Sequence, residues 1–230
     1  MNAVNYQKEF ENIVSGFDSK KPTLLLHSCC APCSSYCLVY LRKWFDITCY
    51  YYNPNITAAD EYEKRVLELH RLVKELNEST LDIEKDEKGQ YYLVERDNSY
   101  LDNTIEIKVI DGQYDSESFV QMVQKANLGK EPEGGIRCVA CFNQRLGQAV
   151  KYANENDFDY VTTTLTISPL KNANWLNEIG QKKTLDYEGG SMWLPSDFKK
   201  KNGYKFSVEL SERFDLYRQN YCGCIYSQNT

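Results

Sequence analysis

Three short runs carry apolar or β-branched residues on both faces: Pro22-Thr23-Leu24-Leu25-Leu26-His27, Phe45 to Tyr52, and Tyr160-Val161-Thr162-Thr163-Thr164. A strand without polar alternation is buried on both sides, the condition of a parallel sheet covered by helices. Helical spacing fills the intervals, with Phe10, Ile13, Val14 and Phe17 inside Asn5 to Phe17, then Ser34 to Lys43, Ala58 to Asn77, Ser116 to Asn127 and Cys141 to Asn156. Parallel strands joined by helices need right-handed crossovers, and such sheets place ligands beyond the carboxyl ends of their strands. The expected fold is therefore α/β with a parallel sheet.

From Glu84 to Asp111 the pattern breaks into charged, Tyr-rich pieces, with a turn signal at Lys88-Gly89-Gln90 and a strand-like Ile105 to Ile110. A chain of 230 residues buries one sizeable core. Residues 1–230 are expected to form a single domain, with about 84–111 as an insertion.

The sequence starts Met1-Asn2-Ala3-Val4-Asn5-Tyr6-Gln7-Lys8-Glu9, without a basic region followed by an apolar core, and no later stretch has the apolar length of a membrane span. A cytoplasmic protein is expected. There disulfides stay reduced, so nine cysteines call for another explanation, and metal binding is the commonest. The net charge of −6 argues against a protein that coats nucleic acid nonspecifically. One local basic patch remains, Lys199-Lys200-Lys201 with Lys205, Arg213 and Arg218.

Seven of the cysteines fall into three groups. His27-Ser28-Cys29-Cys30-Ala31-Pro32-Cys33 begins where the first strand ends and runs into a helix, the ligand position of an open α/β sheet. Cys138-Val139-Ala140-Cys141 opens a helix after Glu133-Gly134-Gly135-Ile136, so both thiols share a face near N-terminal amides. Cys222-Gly223-Cys224 has a glycine that permits the tight backbone two close ligands need.

Seven thiols exceed one tetrahedral zinc and exceed the four thiolates of a four-iron cluster, so a second ion beside a cluster is expected. Adjacent residues project differently. The expected partition gives the cluster Cys30, Cys138, Cys141 and one of Cys222 or Cys224, with Cys222 taken. Cys29, Cys33 and the remaining C-terminal thiol then hold the second, catalytic ion. Cys37, inside an apolar helix, and Cys49, within a strand, read as small core hydrophobes. His27 is expected to orient its loop, and His70 lies on a charged helix face.

With these groups stand the strings HSCCAPC at His27 to Cys33, YNPNI at Tyr52 to Ile56, YEKR at Tyr62 to Arg65, RCVACFNQRL at Arg137 to Leu146, TTTLTISPLKN at Thr162 to Asn172, then DFKKKNGY and LYRQNYCGCIYS. In order and combination, from about Pro22 to Ser227, the chain resembles the QueH family of epoxyqueuosine reductases. The resemblance implies reduction of epoxyqueuosine, already installed in a tRNA anticodon, to queuosine. It also implies a three-layer, Rossmann-like fold similar to the adenine-nucleotide alpha hydrolases, a four-iron four-sulfur cluster, a nearby iron and an external electron donor. Cys33 stands where some relatives carry a carboxylate, which softens the second site.

Turning an epoxide into an alkene takes two electrons and loss of the oxygen, whereas a cluster delivers one electron at a time, so a neighbouring redox or Lewis-acid ion suits the chemistry. Tyr114, Asp115 and Asp197 are candidate proton donors. Thr164 to Asn172 follows a strand and leads into a helix, so Thr164 and Ser168 are candidate contacts for a phosphate or ribose. Arg137, Arg145, Lys171 and Arg218 are candidate partners of anticodon phosphates, and Tyr217 and Tyr221 of bases.

Three other classes fit parts of the pattern. An iron–sulfur tRNA thiolase would need an SGG-type ATP loop where His27-Ser28-Cys29-Cys30 stands. A noncatalytic zinc module binding RNA would have two closed tetrahedral sites. A thiol oxidoreductase would cycle Cys138 and Cys141 through a disulfide.

Overall fold

The computed structural model describes residues 4–18 and 20–227. Its main sheet contains β1 (Thr23–His27), β2 (Asp46–Tyr51), β5 (Lys108–Asp111), β6 (Tyr160–Thr163) and β7 (Met192–Trp193), in the spatial order β5-β2-β1-β6-β7. Every pairing in it is parallel, with His27 level with Tyr50 on one side and Thr163 on the other. The order grows outward from β1 in one direction and then reverses at β6. That reversal is a topological switch point, and it opens a crevice at the carboxyl ends of β1 and β6.

Helices cover both faces. Leu24 and Leu26 point into a layer shared with α1 (Tyr6–Val14), α2 (Ala31–Leu41), α3 (Ala59–Asn77) and α7 (Gly203–Arg213). Leu25 points the opposite way, against Leu146, Ala149 and Val150 of α5 (Ile136–Glu155) and Leu176 of α6 (Ala173–Thr184). This alternation makes three layers, with β1 in the middle. All three leucines are fully buried, so truncating any of them to Ala costs about 2–5 kcal/mol.

The second helix is apolar almost all round, with ten of its eleven residues buried. Pro32 fits its first turn, where a missing N–H costs nothing. Cys30 is its N-cap, yet the thiol makes no capping bond and stays free for another partner.

The segment 84–111 divides. β3 (Leu81–Lys85) and β4 (Tyr91–Glu95) form a separate antiparallel hairpin. Its turn sits where the Gly89 signal places it, closed by Gly89 N donating to the Asp86 carbonyl at 2.9 Å. Lys108–Asp111, however, pairs in parallel with β2 and belongs to the main sheet. Charged Lys108 and Asp111 flank only two apolar residues there, the signature of an edge strand, so the pattern reads as surface. α4 (Ser116–Lys125) returns to the α5 side and is N-capped by Asp115. No helix among the described residues is long and apolar enough to cross a membrane.

Candidate active site

The three cysteine groups meet at the switch point. Cys29 and Cys30 leave the end of β1, and Cys33 sits in the first turn of α2. The three Sγ atoms lie within 4.8 Å of one another, with Cys29 and Cys30 at 3.8 Å. Thiolates bound to one ion at about 2.3 Å stand about 3.8 Å apart when the geometry is tetrahedral. The triad is therefore spaced to hold a metal ion, and three ligands leave a fourth position for another group.

Cys138 and Cys141 lie one turn apart at the start of α5 and line a cavity of 160 Å³ together with Cys222 and Cys224. The Gly134 N–H donates to Cys138 Sγ at 3.2 Å. Gly223 between the C-terminal thiols has φ +96°, and a Cβ there would meet Ile56 at 2.8 Å, so both backbone and space require glycine. All nine cysteines are free thiols.

A neighbouring cavity of 350 Å³ has Cys29, Cys33 and Cys222 in its wall, so Cys222 joins the two spaces. Arg65, Arg145, Lys171 and Arg218 also line it, and Glu133 is its one carboxylate among the described residues. A larger groove of 860 Å³ contains no Cys, Lys or Arg and has nothing to perform redox chemistry on an anion. The chemistry resides in the smaller pair.

The thiols are electrostatically distinct. Hydrogen bonds from Cys30 and Cys33, with Lys171 and Arg145 nearby, hold Cys29 well below the ordinary thiol range despite burial. Cys30, hydrogen-bonded to the Cys29 thiolate, is pushed up to about 12. Cys33 is raised for the same reason. Burial lifts Cys141 to about 12 and Cys224 to about 11. Cys37 and Cys49 are wholly buried and raised by burial, as expected of core residues.

The adjacent thiols face different neighbours. Cys29 packs in the same apolar layer as Cys138 and shares Arg145 with Cys141 and Cys222. Cys30 faces Arg65 and Gln219 instead. Arg145 thus links Cys29 to the second and third groups, and Arg65, which also holds the Cys222 carbonyl, links Cys30 to the third.

Several expected substrate contacts have other occupations. Thr164 is fully buried, and its hydroxyl accepts from the Cys29 N–H at 3.2 Å and donates to Cys29 Sγ at 3.4 Å. The Arg137 guanidinium is buried and donates to the carbonyls of Gly129, Glu131 and Tyr226. Arg145 is buried against the thiols. Ser168, Lys171 and Arg218 do line the 350 Å³ cavity. Of the basic patch, Lys199 pairs with Asp197 and Arg213 with Glu95. Tyr114, Asp115 and Asp197 line neither thiol-bearing cavity. Tyr217 donates its hydroxyl to Glu61, whereas Tyr221 reaches the cavity wall.

Sequence reasoning assigned no role to the clamp on the third group. Arg65, buried and paired with Glu61 at 2.6 Å, donates to the carbonyls of Cys222 and Tyr221 at 3.3 and 3.4 Å. Asn55 Nδ2 donates to the Cys222 carbonyl at 3.3 Å and reaches its Sγ at 3.7 Å. Arg65 and Asn55 lie in the YEKR and YNPNI strings, but nothing in the charged pattern around Arg65 sets it apart from its neighbours.

A parallel α/β sheet whose switch point carries a close thiol triad, a second thiol-lined cavity and buried cations defines a metal-competent protein of the Rossmann-like class. Comparison with known proteins gives that class a family. The profile described as Epoxyqueuosine reductase QueH matches residues 24–230. The chain is 37% identical over 226 residues to the epoxyqueuosine reductase QueH of Staphylococcus epidermidis, covering 97% of this chain and 84% of the relative. It is 38% identical over 226 residues to that of Streptococcus pyogenes serotype M1, covering 97% and 78%. The Thermotoga maritima protein of the same name is 29% identical over 209 residues, covering 89% and 90%. The chain belongs to the epoxyqueuosine reductase QueH family.

Proposed function

We propose that this chain is a cytoplasmic oxidoreductase that removes the epoxide oxygen of epoxyqueuosine in a tRNA anticodon, giving queuosine. The balance is one epoxide, two electrons and two protons giving one alkene and one water. The observation that carries the reading is the convergence of the close Cys29–Cys30–Cys33 triad and the Cys138, Cys141, Cys222 and Cys224 thiols at one switch-point crevice.

The donor set fits a four-iron four-sulfur cluster beside a second iron. Cys138, Cys141, Cys222 and Cys224, which line one cavity, would hold the cluster, and Cys29, Cys30 and Cys33 would hold the second ion. When bound, the pair supplies two single electrons and a Lewis acid for the oxygen.

The protein's own residues do the rest. The 350 Å³ cavity suits one unstacked modified base. Asn55 Oδ1 and Gln219 Oε1 are without hydrogen-bond partners and offer acceptors to the N–H and O–H groups of such a base. Lys171, Arg218 and Ser168 stand where backbone phosphates or ribose would pass. Glu133, at the edge of both cavities, is placed to deliver a proton to the departing oxygen. Thr164 and Arg65 act as positioning residues for the first and third cysteine groups. An ATP-dependent thiolase is disfavoured by the crevice itself, where thiols occupy the turn that would cradle phosphates.

Anaerobic purification with iron, zinc and sulfide analysis tests the cofactor. Four sulfides with more than four irons per chain, and absorbance that bleaches on dithionite, are expected. Zinc without sulfide would overturn the reading in favour of an RNA-binding zinc module.

A further inference from the structure

Arg145 stands one helical turn after Cys141 on α5 and is 1% exposed. Among the described ion pairs none includes it. An unpaired buried guanidinium carries a large desolvation penalty unless negative charge surrounds it. Here that charge comes from sulfur. Burial pulls the Arg145 pKa down, and Cys141, Cys222 and Cys29 more than offset it, so the group is held firmly protonated. These three thiols come one from each cysteine group.

The side chain is also fixed. Arg145 Nη2 donates to Asn53 Oδ1, and Asn53 Nδ2 donates to the Ser28 carbonyl at 2.9 Å. Asn53 is 1% exposed and Ser28 fully buried. The chain Arg145–Asn53–Ser28 thus ties the second cysteine group to the loop that presents the first. Arg145 Nε is buried without a hydrogen-bond partner, and the residue lines the 350 Å³ cavity. Lys171 faces Cys222, Cys29 and Cys33 and adds a second positive charge. Lysine reaches the site on a flexible stem, whereas Arg145 is locked.

We infer that Arg145 is a positioning residue whose fixed, buried positive charge balances the three cysteine groups and raises the reduction potential of the centre they hold. The inference rests on the cofactor reading proposed above. Cluster potentials depend on the net charge and hydrogen bonds around the thiolates, and a cation that cannot leave or titrate sets that charge permanently. Removing it leaves more negative charge in a dry site and makes adding an electron harder.

The test is a potentiometric titration of the reconstituted full chain, followed by absorbance and electron paramagnetic resonance, for the unaltered protein, R145Q and R145K. Iron and sulfide are counted first. R145K is expected to titrate close to the unaltered protein and R145Q at a distinctly more negative midpoint with the same iron and sulfide content. Equal midpoints for R145Q and the unaltered protein would overturn the inference and leave the cofactor reading standing. If R145Q assembles no cluster and R145K does, the charge requirement holds and acts at assembly. If neither variant assembles one, the guanidinium's shape rather than its charge is what matters, and the inference fails. An unaltered protein without iron and sulfide would remove the cofactor reading and the inference together.

Discussion

His27 Nδ1 and Thr163 Oγ1 lie 2.8 Å apart, joining the carboxyl ends of β1 and β6 directly beneath the Cys29 loop. The other ring nitrogen is 3.1 Å from the Tyr52 carbonyl, which can only accept. Nε2 therefore carries the proton, and Nδ1 accepts from the threonine hydroxyl. A ring saturated on both nitrogens orients the loop and is not a metal ligand.

That arrangement makes stability pH-dependent. Burial first, and then Arg145, lower the His27 pKa to about 3, against about 6.5 when unfolded. Above about pH 6.5 both states are neutral and the imidazole costs nothing. As pH falls below that value the unfolded chain takes up a proton that the folded chain refuses, so stability drops by up to ~2 kcal/mol between about pH 6.5 and pH 5. Urea unfolding across this window should show the loss, and His27→Gln should show a shallower one. An equally steep loss in the variant would exclude His27 as its source.

Much of this was legible in the sequence. The apolar runs at Leu24–Leu26 and Tyr160–Thr163 fixed the neighbouring central strands, because burial on both faces leaves no polar alternation. β5 was legible as strand-like but not as a member of the main sheet, and two-residue β7 carries too little pattern to separate from a loop. α7 was unassigned because its left-handed N-cap, Asn202, leaves no side-chain capping signal. At the site, the seven thiols were readable as chemistry. Their surroundings were not, because the buried cations beside Cys29 and Cys30, Arg145 and Arg65, come from helices distant along the chain.

Metal uptake should release protons. Cys30 at about 12 and a raised Cys33 hold their protons at neutral pH, whereas Cys29 does not. Only thiolates bind metal, so filling the triad displaces about two protons and affinity rises about a hundredfold per pH unit. Zinc titrations of the ion-free protein in weak buffer between about pH 6 and pH 8 would measure both quantities. Uptake without proton release would mean that the triad is already ionised.

Cys30→Ser and Cys138→Ser should differ. With Cys138 on the cluster, its loss should lower sulfide and most of the iron, whereas loss of Cys30 should remove about one iron and keep the sulfide. Iron and sulfide analysis of the two variants decides between them. Sulfide lost with Cys30 would put that thiol on the cluster.

Glu133→Gln keeps the size of the side chain and removes its carboxyl group. Turnover should fall about 10²-fold or more with little change in KM, the signature of general acid catalysis. An unchanged kcat would transfer the proton to solvent or to a phenol in the cavity wall.

The central claim is that the thiol crevice deoxygenates epoxyqueuosine. Its most direct test incubates anaerobically prepared holoprotein and reductant with tRNA carrying epoxyqueuosine, then digests the tRNA and weighs the modified nucleoside. Conversion to a nucleoside lighter by one oxygen, abolished in Cys138→Ser, is the predicted result. Unchanged epoxyqueuosine with protein whose iron and sulfide are complete would contradict the account.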